Sequence, residues 1–276
     1  MLNIQNLRRR IIGTLNGQSI GPGLSILNIL PFWLYFFAIA SAELLTVYLQ
    51  PLVGVVCHGM ILIALLVQST FILEPPQRNL LLALSLVPLI RITSLSLPLT
   101  ELPQIYWYPL IYAPLLAATA VVMRIVGLSV KDVGLVSRDW PFQILVGVAS
   151  GLAYGGLEYM ILRPEPLVTS FTLQQIWLPA IILLVATGFV EELIFRGVLQ
   201  RLAEPAIGSW MGIIYVSVIF ATLHIGFLSL LDVAFVLSVA LFLAYAVKTT
   251  RSLVGVTLAH GIANSLLYLI MPYMLS

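Results

Sequence analysis

Charge is scarce in this chain. Asp, Glu, Lys and Arg make up 9% of its 276 residues, against 61% hydrophobic. A water-soluble domain of that length could not cover its surface with so few charges, which leaves a polytopic membrane protein. Cysteine is nearly absent as well. The one copy, Cys57, excludes an internal disulfide framework and, set in an apolar run, reads as an inert packing residue. Beyond Arg8-Arg9-Arg10 there is no basic cluster, and the net charge of +2 gives no footprint for nucleic acid as a partner. The apolar runs are continuous rather than alternating with period two, so helices are expected and not a barrel. No low-complexity segment and no internal repeat is found, which counts against the common repeat-built transporters. A polar stretch from Gly13 to Gly23 separates the arginines from the first long apolar run, so the N-terminus does not read as a signal peptide.

What the chain has in abundance is apolar runs of membrane length. A span needs about 20 mainly apolar residues. That rule predicts spans near 24–49, 51–73, 80–97, 110–128, 141–162, 178–203, 207–229, 232–248 and 251–273. The fold class is therefore all-α, a polytopic transmembrane helical bundle of 8–9 spans, the lower count applying if 226–248 is broken or re-entrant. Pro51, Pro75-Pro76, Pro98, Pro103, Pro109, Pro164 and Pro166 are read as punctuating connections. With nine spans and a cytoplasmic N-terminus, eleven Lys and Arg residues fall on the cytoplasmic side and one, Arg163, opposite. Arg196 and Arg201 are among the eleven, and Arg91 stays inside a span, where it could pair with Glu43. Tyr106, Trp107 and Tyr108 read as an interfacial belt on the outer side. The charged stretch 129–140 is placed at the cytoplasmic interface.

Against that background a few polar residues stand inside apolar spans of the C-terminal third: Glu191-Glu192-x-x-x-Arg196, Phe220-x-x-x-His224 and His260-x-x-x-Asn264. Ionisable groups are costly in hydrocarbon and usually mark function. Glu192 and Arg196 are four apart on a helix and can pair, whereas Glu191 lies about 100° around the axis from Glu192 and is left free. Phe220 and His224 share a face, as do His260 and Asn264. Glu191 falls about 20 Å from the outer end of its span and His260 about 13 Å from the inner end of its own, which are compatible depths. His224 falls nearer the outer end, with Gly226 a candidate break. The third histidine, His58, has no acidic neighbour in the sequence and reads as structural.

These residue types suit hydrolysis. A carboxylate and an imidazole can activate a water for attack on a carbonyl, and desolvation strengthens the carboxylate as a base. An imidazole and an amide N–H suit an oxyanion hole. The same parts could instead hold zinc through Glu191, His224 and His260, although the local His-Glu-x-x-His pattern is absent. A proton-coupled transporter and a non-catalytic membrane scaffold are the rivals from other classes.

The three ordered motifs resemble those of the CPBP family, the CAAX prenyl endoproteases and bacteriocin-processing proteins, which are polytopic intramembrane proteases. The resemblance covers about 178–276; the first 140 residues carry no recognised motif. It implies that Glu191 and His224 activate water, that His260 and Asn264 stabilise the oxyanion, and that Glu192, Arg196 and Phe220 support the site. It also implies an intramembrane endopeptidase whose partners are the lipid bilayer and a membrane-embedded peptide or protein substrate, prenylated or not. No cofactor is expected, because Asn264 is a natural donor and a poor zinc ligand; zinc is the alternative. The division expected is a cytoplasmic segment 1–23, a transmembrane scaffold 24–177 and a catalytic core 178–276, in a plasma (inner) membrane.

Overall fold

A computed structural model describes residues 26–275; the expected cytoplasmic segment 1–23 lies outside the described residues. Among these residues there is no strand, and nine helices are long and apolar enough to cross a membrane. They are α1 (Ile29–Tyr48), α2 (Pro51–Phe71), α3 (Pro75–Ser96), α4 (Gln104–Val126), α5 (Trp140–Leu162), α6 (Leu173–Ile207), α7 (Ser209–Phe227), α8 (Leu230–Thr250) and α9 (Val254–Met274). The protein is an all-α, polytopic integral membrane bundle. Its outer surface is apolar, with Phe71, Leu73 and Leu230 among many large side chains left exposed, as a bilayer solvent requires.

Several expected boundaries move. α3 begins at Pro75 rather than 80, and Pro109 lies inside the start of α4 rather than in a connection. Proline is tolerated in a first turn because the N–H it lacks would have no intrahelical partner there. α6 is 35 residues long, well beyond 178–203. The possible break in 226–248 falls ahead of α8, in a short turn over Ile225–Phe227 that ends on Leu228 at φ 54°. α8 itself is continuous, so the count among the described residues is nine.

Two close helix contacts bring the polar motifs together. α5 carries Gly147, Gly151 and Gly155 on one stripe against α9. A Cβ at Gly155 would lie 2.6 Å from the Ala263 carbonyl oxygen, and one at Gly151 would lie 2.8 Å from that of Ala259. Small residues let membrane helices approach backbone to backbone, where dispersion rather than the hydrophobic effect holds them. Gln143, buried in the first turn of α5, accepts the Gly255 N–H at 2.9 Å and ties the start of α9 to the same helix. α6 meets the other side of α9 through Gly188 and Gly261. A Cβ on Gly188 would reach the Gly261 nitrogen at 3.0 Å, and one on Gly261 would reach Leu184 Cα at 2.9 Å.

Along α6 the chain is π-helical over Leu183–Phe189 and Leu193–Leu199, on either side of Val190–Glu192. Such widened turns are rare and concentrate at functional sites.

Candidate active site

The acids of α6 sit between these widened turns. Glu192, fully buried, accepts a hydrogen bond from His260 Nδ1 at 2.9 Å, and its other oxygen lies 3.3 Å from Arg196 Nε. The expected i,i+4 pair is therefore present, but Glu192 also anchors a histidine from α9. Arg196 is 3% exposed. It is a charge buried inside α6, not a loop cation, and so does not belong with the cytoplasmic Lys and Arg residues. Its guanidinium carbon sits 4.4 Å from the centroid of the Phe220 ring, a cation–π contact that lowers the cost of its burial.

Glu191 turns another way. Its Oε2 lies 3.8 Å from His260 Nε2, and its Oε1 accepts the Tyr112 hydroxyl. His260 is thus flanked by both acids, one at each ring nitrogen. Because a carboxylate only accepts, the His260 Nδ1 carries a proton toward Glu192, and Nε2 faces Glu191. At His224, just past the last α-helical turn of α7, Nδ1 is 3.1 Å from the Phe220 carbonyl oxygen. A carbonyl also accepts only, so that nitrogen is the N–H and Nε2 is left as an acceptor. Asn264 donates through Nδ2 to Thr187 Oγ1 at 2.8 Å, and Thr187 donates onward to the Leu183 carbonyl at 2.6 Å. The Phe220 ring packs between these groups, 5.1 Å from the His224 ring and 6.1 Å from that of His260.

Glu191, His224, His260 and Asn264 all line one cavity of about 190 Å³. Sequence reasoning missed several of its other walls. Tyr108, expected in an outer aromatic belt, faces this cavity together with Tyr112, Glu158, Thr187 and Tyr268. Glu158 was legible as an acid inside an apolar span, and Thr187 stands four residues before Glu191 on the same helix. Nothing in the local sequence distinguishes Tyr112 from the chain's other tyrosines.

The N-terminal spans also reach the site. Arg91 on α3 donates from Nε to Glu43 at 2.7 Å and from its terminal nitrogen to the Leu223 carbonyl, the residue before His224. The Glu43–Arg91 pair allowed for in the sequence is therefore formed. His58 Nε2 lies 3.2 Å from the same Glu43 oxygen. His58 does have an acidic neighbour, supplied by α1 packing on α2 rather than by adjacent sequence.

The fit to zinc can be tested on the donor set. Among the described residues no three His, Cys, Asp or Glu side chains are grouped to hold a metal ion. Glu192 and the Phe220 carbonyl hold the Nδ1 atoms of the two histidines, which leaves their Nε2 atoms as the free ring nitrogens. Glu191, His224 and His260 thus offer a carboxylate and two Nε2 atoms to the cavity, without being drawn together around one point.

The helices that carry the three motifs correspond to one stretch of sequence. Residues 173–266 match the Rce1-like family. The description of that family is type II CAAX prenyl endopeptidase Rce1-like, and the match bears out the CPBP resemblance over about a third of the chain. No curated protein and no solved structure matches the chain. The Rce1-like stretch runs from the first residue of α6 into α9, so it holds every residue of the three motifs. That likeness supports a CAAX-type intramembrane protease in general terms. Arg91, Tyr108, Tyr112 and Glu158 come to the same cavity from helices outside it.

Proposed function

We propose that this protein is an intramembrane endopeptidase that hydrolyses a peptide bond with a water activated by Glu191 and His224. One observation carries the reading: four candidate side chains from three helices line a single cavity inside the bundle. Glu191 Oε2 is the base, its other oxygen being held by Tyr112. His224 Nε2 accepts a hydrogen bond from the second water O–H, which stays on the oxygen, and so orients the nucleophile. The water oxygen attacks the scissile carbonyl carbon as its proton passes to Glu191. The oxyanion that forms receives Asn264 Nδ2–H and His260 Nε2–H, the imidazolium being stabilised by Glu192 at Nδ1. The C–N bond then breaks, and the leaving nitrogen takes the proton back from Glu191.

In this reading no metal takes part, and α1–α5 serve as scaffold and as walls of the substrate chamber. The substrate is a membrane-embedded peptide or protein, prenylated or not. The protein sits in the plasma membrane with its N-terminus cytoplasmic, which the Lys and Arg distribution supports.

The test is cleavage of a prenylated CAAX peptide and an unprenylated control by purified protein, with metal content measured in parallel. Glu191→Gln keeps shape and hydrogen bonding but removes the base, and a loss of about 10²–10⁴-fold in kcat is expected. Full cleavage by that variant would overturn the mechanism. Cleavage that vanishes with metal and returns with zinc would favour the metal version. Ion flux in liposomes that depends on Glu191, without cleavage, would favour a transporter.

A further inference from the structure

A second polar cavity, of about 240 Å³, has Arg196 in its wall and shares no lining residue with the candidate active site. It is built where three connections meet: the 129–136 loop after α4, the C-terminal turns of α6 and the C-terminal end of α8. Its walls are tied together by hydrogen bonds to main-chain carbonyls. The Leu253 N–H donates to the Gly134 carbonyl at 2.9 Å, and Ser252 Oγ donates to that of Val136 at 3.1 Å. Gly134 sits at φ 85°, in the left-handed region that favours glycine, with the Leu253 nitrogen 3.3 Å from where a Cβ would be.

The charges around this cavity do not cancel locally. Its two acids are occupied by neighbours: Asp132 accepts from Ser129 N and Oγ at 2.9 and 2.6 Å, and Glu204 accepts from Gln200 Nε2 and Ser209 Oγ at 3.2 and 3.4 Å. Lys131, Arg201 and Arg251 line the same cavity, and none has an acid within ion-pair distance among the described residues. In the wall, Arg196 Nη1 and Nη2 and Gln200 Oε1 are buried without hydrogen-bond partners among the described residues. A preformed pocket lined by five cations and two acids, with three of the cations beyond ion-pair distance of any acid among the described residues, has the chemistry of a phosphate site.

Its surroundings favour a phosphate carried by a lipid. Lys248, also on the wall, lies 4.3 Å from the centroid of the Trp210 ring. Trp210 stacks on Tyr245 at 6.0 Å with an interplanar angle of 13°, and both rings are more than half exposed. Such amphipathic rings settle at headgroup depth. One turn farther into the bilayer on the same two helices, Ile214 and Phe242 are exposed, an apolar track for acyl chains. We propose that this pocket binds the phosphate of an anionic phospholipid, with the headgroup against Lys131, Arg201 and Arg251 and the acyl chains along α7 and α8. Basic pockets between helices at the positively charged end of a membrane protein are suited to that ligand.

The readout is binding, so it is independent of proteolysis. The full chain in detergent is titrated with phosphatidylglycerol carrying a fluorophore on an acyl chain, and competed with unlabelled phosphatidylglycerol, phosphatidylcholine or inorganic phosphate. Only unlabelled phosphatidylglycerol should compete. Each pocket cation should contribute about fivefold in affinity. The triple variant Lys131→Gln/Arg201→Gln/Arg251→Asn should therefore bind about a hundredfold more weakly. Asn is chosen at 251 because that residue has φ 57°. Arg78→Gln/Arg124→Gln/Arg138→Gln removes equal charge from the same end of the bundle outside the pocket and should bind within about twofold of the parent, since none of its sites lines the cavity. Equal loss in both triples, or equal competition by phosphatidylcholine, overturns the proposal. Complete displacement by millimolar inorganic phosphate overturns the lipid as occupant. Should the pocket triple lose its monodisperse elution and helical circular dichroism, the single variants Lys131→Gln and Arg251→Asn decide by the same fivefold criterion.

Discussion

Glu191 and Glu192 are adjacent and chemically identical, yet their surroundings separate them. Glu192 is enclosed by Arg196 and His260, while Glu191 meets Tyr112 and opens onto the cavity. Removing each should therefore damage different properties. Glu192→Ala leaves a buried guanidinium and an imidazole N–H without their acceptor. A loss of about 3–5 kcal/mol in stability is expected, visible as a lower midpoint of thermal unfolding in detergent. Glu191→Gln should leave that midpoint nearly unchanged while abolishing cleavage. If the two variants unfold alike, the division between a structural and a chemical acid fails. Asn264→Ala removes one proposed oxyanion donor, so kcat should fall by about 10²–10³-fold, with KM little changed. A KM effect alone would assign Asn264 to substrate binding instead.

At the scale of elements, the site depends on how closely α9 approaches α5 and α6. Gly155 and its neighbour Gly156 make a controlled comparison. A Cβ at Gly155 would strike the Ala263 carbonyl, whereas one at Gly156 meets nothing within 4 Å. Gly155→Ala should push α9 away, costing about 1–3 kcal/mol and lowering cleavage through displacement of His260 and Asn264. Gly156→Ala should be neutral or stabilising by up to about 1 kcal/mol, through helix propensity. Thermal unfolding and kcat for the pair check this, and equal behaviour would remove the close-approach argument. The sequence contained the signal, a Gly-x-x-x-Gly-x-x-x-Gly run at 147, 151 and 155, but not which helix it faced. The π-helical turns that bracket the acids had no readable signature, because widening depends on what packs against the helix.

For the molecule as a whole, the Rce1-like stretch does not complete the cavity. Tyr112 from α4 holds Glu191, and Arg91 from α3 reaches the carbonyl that precedes His224. A fragment holding α6–α9 alone should show no cleavage even when inserted in a membrane. Arg91→Met in the full chain should lower kcat by roughly tenfold or more, since a charged hydrogen bond of about 1.5–3 kcal/mol is lost. Arg91→Lys should restore part of it. An active α6–α9 fragment would show that the N-terminal helices are dispensable.

The sequence alone determined the class of the molecule, its eight or nine apolar spans and the three motifs that carry the candidate chemistry. Those follow from composition, run length and i,i+4 spacing, which are properties of a single helix in a bilayer. Only the tertiary structure decided that His58 meets Glu43, that Tyr108 faces inward, that Glu192 serves His260 as well as Arg196, and that Glu158 shares the cavity. Each is a contact between residues far apart in the chain. Such contacts are set by which helix faces pack together, and in lipid that choice rests on shape and on pairing buried polar groups, neither of which local spacing encodes.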